Sequence, residues 1–223
     1  MLAARLLLCL AIVIAMVTHV SFAAGALPAT ELHAAAASGD TARVRALLAS
    51  GVAIDARDAQ GRTALLVATH HNRVQAAKVL IEAGADVNAK DAIQDSPYLY
   101  AGARGHNEIL RMALANGADL RSTNRYGGTA LIPAAERGHV ETVRMLIAAG
   151  VDVDHVNRLK WTALLEAIIL GNGGAAHTEI VRLLVQARAN VNLADGEGVS
   201  PLQHARQRGY AQIERILSAA GAR

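Results

Sequence analysis

The pair His70-His71 is the most inviting place for chemistry in the sequence, because two imidazoles could begin a zinc site. On a helix, however, adjacent side chains diverge by about 100° at about 3.6 residues per turn, so one ion cannot easily take both. Two surface histidines are the expected reading. His106 and His139 each follow a glycine at the expected start of a helix, where a structural or turn-capping role suits them better than catalysis. Gly171-Asn172-Gly173-Gly174 has the glycines of a phosphate-binding loop, but it lacks the Lys-Ser/Thr and sits between two expected helices. No serine stands in a nucleophile-elbow setting. The single cysteine, Cys9, lies in a segment expected to be removed, which excludes disulfides, cysteine-ligated metal and thiol catalysis from the mature chain. These residues predict no catalytic group, no metal and no cofactor.

The composition agrees with a scaffold. Of 223 residues 48 are alanine and only 3% are aromatic, which argues for small-residue helices packed closely. With 52% apolar and 18% charged residues the chain is too apolar for disorder. Its net charge of +3, from 22 basic and 19 acidic residues, is too thin and mixed to suggest a nucleic-acid binder.

The N-terminus has the three-part layout of a secretory signal peptide. Arg5 precedes the apolar run Leu6 to Val17, and Ser21 and Ala23 are the small residues before an expected cleavage after Ala23. The run falls short of the about 20 residues that span a bilayer. The expected processing is therefore residues 1–23 as signal peptide and 24–27 as a short lead-in, with no stable membrane insertion after cleavage. The mature protein is expected to be periplasmic or secreted.

A repeat organises the rest. Thr30, Thr63, Ser96, Thr129 and Thr162 are 33 residues apart, and Ser200 follows 38 later. Gly51, Gly84, Gly117 and Gly150 keep the same rhythm, continued by Arg188 and Gly221 with the same five-residue excess. Each Ser or Thr is placed to cap a short helix. A second helix with apolar residues at helical spacing follows, for instance over 74–83 and 140–149, and glycine suits its left-handed end. Turn-rich phrases such as ADVNAKDAIQ and ANVNLADGEG connect one unit to the next. The spacing predicts an all-α solenoid of six helix-loop-helix units joined by β-hairpin-like fingers. The units fall near 28–60, 61–93, 94–126, 127–159, 160–197 and 198–223, since only stacked neighbours can bury each unit's apolar face.

The phrases TALLVATHHN, GTALIPAAERGHVETVRMLIAAGVDVD and SPLQHARQRGY resemble the ankyrin repeat over about residues 28–223. With the signal peptide, the chain is most similar to exported bacterial ankyrin-repeat proteins. Three departures stand out. The family's proline after Thr is Ala64, Ala130 and Ala163; its histidine survives only as His33; and Arg188 replaces a cap glycine, which predicts a non-glycine residue at positive φ or a different turn. Pro133 falls in a first helical turn, where a missing N–H is expected to cost little. An inserted stretch near 172–176 is expected to be a tolerated flexible loop.

The resemblance implies a non-enzymatic module that holds a protein partner in a concave groove of fingertips and first helices. Carried over position by position, the groove includes Gln60, Ile93, Arg104 and Glu136. The partner-binding residues expected on energetic grounds are Arg125, Tyr126, Arg137, Arg158, Leu159, Trp161, Ile169 and Leu170, which gather aromatic, arginine and apolar side chains on two adjacent units. The protein is expected to be a monomer with no nucleic-acid partner. An inhibitor or immunity protein for an exported toxin or enzyme is the alternative, and a metal-dependent stress-protection protein built on His70 and His71 is the least favoured.

Overall fold

The computed structural model describes residues 28–223, so the signal-peptide segment lies outside the described residues. Six helix pairs follow one another. They are α1 (28–38) with α2 (Thr41–Ala49), α3 (Ala64–His70) with α4 (Val74–Glu82), and α5 (Pro97–Arg104) with α6 (Asn107–Ala115). Next come α7 (Leu131–Glu136) with α8 (Val140–Ala149), α9 (Ala163–Ile169) with α10 (Ala175–Gln186), and α11 (Pro201–Gln207) with α12 (Ala211–Ala219). The first helices α3, α5, α7, α9 and α11 stack on one another, and so do the second helices α2 to α12, giving two helical layers. Among the described residues no strand forms, and no helix is long and apolar enough to cross a membrane.

The alanine content has a structural use. Ala35, Ala68, Ala101, Ala134, Ala167 and Ala205 occupy one repeat position on the first helices, and all are buried. Small side chains there let neighbouring first helices approach closely. Leu65, Leu131, Leu164 and Leu202 fill the layer between the two helix rows, with Tyr98 at the same position in the third unit. Leu47, Leu80, Leu146, Leu184 and Leu217 recur on the second helices. Each interface is thus made of matched apolar pairs contributed by adjacent units.

Four of the six expected caps form, and Thr30 stands inside α1 rather than at its start. Thr63, Ser96, Thr162 and Ser200 accept from the N–H three residues on, and Ser200 completes a capping box with Gln203. Thr129 does not, and Pro133 explains why. In the other units the fifth residue of the motif donates its N–H to the cap carbonyl, as Val67 does to Thr63 O at 3.0 Å. Pro133 has no N–H, so Ile132 N–H turns to Thr129 O instead, at 3.3 Å. The buried Thr129 hydroxyl is left without a partner. The proline therefore costs a cap, not only the one N–H expected.

His33, the one surviving histidine at this position, hydrogen-bonds Ala29 O at 2.7 Å and Arg62 O in the next unit at 2.9 Å. Leu66, Leu99, Ile132 and Leu165 at that position are simply buried. Arg188 has φ 65°, so a non-glycine residue does stand in the left-handed conformation at that cap.

The inserted stretch is not the flexible loop expected. Its last residues, Ala175 and Ala176, form the first turn of α10. Asn172 Oδ1 accepts from Gly174 N–H and also bonds His177 Nδ1, both at 3.0 Å, and Tyr210 O–H donates to Gly171 O at 2.9 Å. Gly173, at φ +68°, lies so close to the Tyr210 ring that a Cβ there would sit 2.4 Å from it. The insertion is pinned by the next unit.

Candidate partner-binding groove

Each finger is built on one side chain. Asp58, Asp91, Asn124, Asn157 and Asp195 use Oδ1 to accept the backbone N–H of the residues two and four positions on. Two backbone bonds per finger, such as Asn157 N–H to Trp161 O and Lys160 N–H to Asn157 O, both at 3.0 Å, complete the turn. The expected hairpins are thus tight side-chain-stapled turns without a ladder. This staple holds the residue two positions on at the tip, which gives the series Gln60, Ile93, Tyr126, Leu159 and Glu197. The three central tips are large, apolar and exposed by 52%, 54% and 54%. Neighbouring fingers are tied together: Ala92 N–H donates to Gln60 O, Arg158 N–H to Tyr126 O, and His155 Nε2 bonds Gly127 O at 2.7 Å.

Below the central tips lies a pocket of about 350 Å³, walled by α5, α7 and α9. Five of the eight expected partner-binding residues line it: Arg125, Tyr126, Arg137, Leu159 and Leu170. The other three stand outside its lining. Arg158 is exposed and donates to Arg125 O at 2.9 Å, linking two fingers. Trp161 is half-buried at the base of its finger, and Ile169 is half-buried at the end of α9.

The charges in the pocket are partly spoken for. Arg125 stacks on Tyr126 at 4.8 Å and faces Asp95 at 3.8 Å. Arg137 donates to Ala103 O at 2.6 Å, near the C-terminal end of α5 where a cation is favoured. Tyr100 has Arg104 over it at 5.4 Å and lies 4.0 Å from the His70 ring. Burial, with Arg62 nearby, pushes His70 below the usual imidazole range. His71 is exposed, whereas His70 is half-buried against Tyr100 and is not the surface histidine expected. Burial lowers both His106 and His139.

Asp95 and Glu136 line the pocket as expected groove positions, whereas Tyr100, Asn157 and Glu166 line it without having been singled out by the sequence. The most telling is Glu166. It is buried on the groove floor and accepts from Asn157 Nδ2 at 2.7 Å. Burial, reinforced by the negative charge of Glu136, pushes its carboxyl up to about 7. Burial and Asp91 likewise raise Asp95. A signal for Glu166 was available. The floor position reads Val67, Tyr100, Pro133, Glu166 and His204 along the array, so a lone carboxylate appears where other units place apolar or aromatic groups.

Stacked helix pairs with stapled fingers and a concave, partly apolar groove define a helical-repeat binding scaffold. The known proteins that resemble it agree. The family described as "Ankyrin repeats (3 copies)" matches residues 1–91 and 98–195. A crystallised ankyrin repeat domain from Acinetobacter baumannii AYE is 67% identical, with a TM-score of 0.85 over 86% of this chain and 98% of that one. A crystallised ankyrin repeat protein, EF0377, is 42% identical, with a TM-score of 0.82 over 85% of this chain and 97% of that one. YahD, an ankyrin repeat protein of Escherichia coli (strain K12), is 46% identical over 57 residues, a stretch that spans 26% of this chain and only 28% of YahD. The chain belongs to the ankyrin-repeat family. Ankyrin repeats generally mediate protein–protein interaction, typically as non-enzymatic scaffolds.

Proposed function

We propose that this chain is an exported, non-enzymatic binding protein that holds a protein partner across its third to fifth units. The observation that carries the reading is the fingertip stripe Ile93, Tyr126 and Leu159, bounded by the polar tips Gln60 and Glu197. Three large apolar side chains stapled into one row, with Leu170 51% exposed across the pocket, form a contiguous face rather than scattered apolar residues. Arg125 and Arg137 rim it, and Arg158, Trp161 and Ile169 flank it. Aromatic and arginine side chains at such a centre carry most of an interface's energy. Export is supported by the layout of residues 1–23.

The test is affinity capture of the mature protein's partner from the periplasm. Truncating Tyr126 and Leu159 together to alanine is expected to weaken capture by at least about 2 kcal/mol, roughly thirtyfold. Gln60→Ala, at a polar tip of the same construction, is expected to change it by well under about 1 kcal/mol. Equal losses from both would remove the central stripe as the site. N-terminal sequencing that found Met1 retained on membrane-bound protein would remove the export reading.

A further inference from the structure

The chain reads Asn-Gly at Asn116-Gly117 and Asn172-Gly173, and Asp-Gly at Asp195-Gly196. In such a pair the glycine nitrogen, with no Cβ beside it, is a ready nucleophile toward the preceding side-chain carbonyl carbon. What holds the two residues decides whether it can attack, and the three pairs differ. Asn172 Oδ1 bonds Gly174 N–H and His177 Nδ1, both at 3.0 Å, and Gly173 is pressed against the Tyr210 ring. Asp195 Oδ1 accepts from Glu197 and Val199 N–H at 2.9 Å, and Oδ2 faces His204 at 2.8 Å. Asn116 is exposed, and only its Nδ2 is engaged, donating to Met112 O at 2.8 Å. That bond holds the nitrogen that would leave, not the carbon that would be attacked.

The backbone is open there as well. At the matching ends of the other second helices, the N–H of Gly51, Gly84, Gly150, Arg188 and Gly221 donates to the carbonyl three residues back, at 2.9–3.1 Å. Gly117 N–H makes no such bond. A twist accompanies the loss: ψ is 37° at Asn116, against 0° to 9° at Ser50, Ala83, Ala187 and Ala220. A Cβ at Gly117 would meet nothing within 4 Å, so the attack has room.

We propose that Asn116-Gly117 is a site of spontaneous deamidation, with the Gly117 nitrogen as nucleophile and water as co-reactant, and that its product unlinks the second unit from the third. Gly117 N gives its proton to solvent base and bonds to Asn116 Cγ. The Cγ–Nδ2 bond breaks, and Nδ2 takes up a proton and leaves as ammonia. Water then opens the cyclic imide. Addition at Cγ gives aspartate; addition at the main-chain carbonyl gives isoaspartate, whose chain runs through Cβ and Cγ and is one carbon longer. In sum, one water enters and one ammonia leaves. Gly117 O accepts from Asn88 Nδ2 at 2.9 Å, and Asn88 Oδ1 accepts from Asp119 N–H at 2.8 Å, which ties the two units together. The longer chain moves Gly117 O off Asn88. Either product also sets a carboxylate at the C-terminal end of α6, where negative charge is disfavoured.

The test ages the full chain in mild alkali, digests it in acid, and follows the three peptides by mass and by methylation with an isoaspartate methyltransferase. The Asn116 peptide is expected to exchange amide for acid at least about tenfold faster than the Asn172 peptide, which has two hydrogen bonds to break. Isoaspartate is expected at 116 and not at 195. In concentrated urea the two Asn-Gly pairs are expected to react at similar rates, because only the fold separates them. Asn116→Ala is expected to abolish the signal without altering helical content. Equal rates in the folded chain, a faster reaction at Asn172, or no reaction at Asn116 under conditions where the urea-unfolded chain reacts would each overturn the site. Amide spectra of the isoaspartate form are expected to show displaced Asn88 side-chain signals, and unchanged ones would overturn the unlinking.

Discussion

Asn157 has every polar atom of its side chain in use. Oδ1 staples the finger by accepting from Leu159 and Trp161 N–H, and Nδ2 donates to Glu166. Asp58, Asp91 and Asp195 hold this position in three other fingers and Asn124 in the fourth, and the sixth unit offers the direct comparison. There Asp195 faces His204, nine residues on, just as Asn157 faces Glu166 nine residues on. The finger residue must accept from its own backbone, and opposite a carboxyl on the floor it must also donate. With histidine on the floor an aspartate suffices; with glutamate an amide is needed. Asn157→Asp is therefore expected to keep the staple but to set two carboxyl groups together, destabilising the fold by about 1–3 kcal/mol. The loss is expected to be larger at about pH 8 than at about pH 6, where one proton can be shared. Denaturation midpoints at the two pH values check this, and a loss that did not depend on pH would contradict it. Both residues were visible as letters in the sequence. Their pairing was not, because it depends on how the finger folds back over the first helix.

At the scale of elements, the six-fold comb of Ser and Thr made the first helices and most of their caps legible, because each cap acts within four residues of its own position. Interactions of longer reach were not. The inserted stretch reads as a glycine-rich loop until Tyr210, 39 residues after Gly171, is seen to hold it. The Thr129 cap was legible in part: the proline was visible, but its effect on the hydroxyl required the competing Ile132 bond. This gives an unequal pair of substitutions. Thr63→Val removes the acceptor for the buried Leu66 N–H and is expected to cost about 1–2 kcal/mol. Thr129→Val removes a hydroxyl that has no partner and is expected to be neutral or to stabilise by up to about 1 kcal/mol. Thermal or urea midpoints of the two variants test the difference. Equal costs would mean that Thr129 caps its helix after all.

For the whole molecule, buried polar groups weigh against stability along the array. His70 Nε2 in unit two, Tyr98 Oη and His106 Nδ1 in unit three and the Thr129 hydroxyl in unit four have no partner, and unit five adds the buried Glu166. Because stacked repeats are stabilised by nearest-neighbour interfaces, a cost at Glu166 is felt by the units on either side of it. Its pH dependence has a definite sign. Glu166 is raised from an ordinary 4.5 to about 7, so over that range the folded chain holds a proton that the unfolded chain releases. Its contribution is fully present below about 4.5 and is lost as the pH climbs through about 7, a difference of about 3 kcal/mol. His70, His106 and His139 act in the opposite sense: burial lowers them, so their contribution is lost as the pH falls. Wild-type stability alone therefore mixes two opposed trends, and the comparison with Glu166→Gln separates them. The variant keeps an acceptor for Asn157 and carries no titrating group at the floor. Relative to wild type, it is expected to gain about 2–3 kcal/mol on going from about pH 5 to about pH 8, because only the wild-type chain must bury a charge at the higher pH. The comparison is made from denaturation midpoints at the two pH values. A constant difference between the two proteins would show that the Glu166 carboxyl titrates as it would in water, and that the groove floor is wetter than its burial implies.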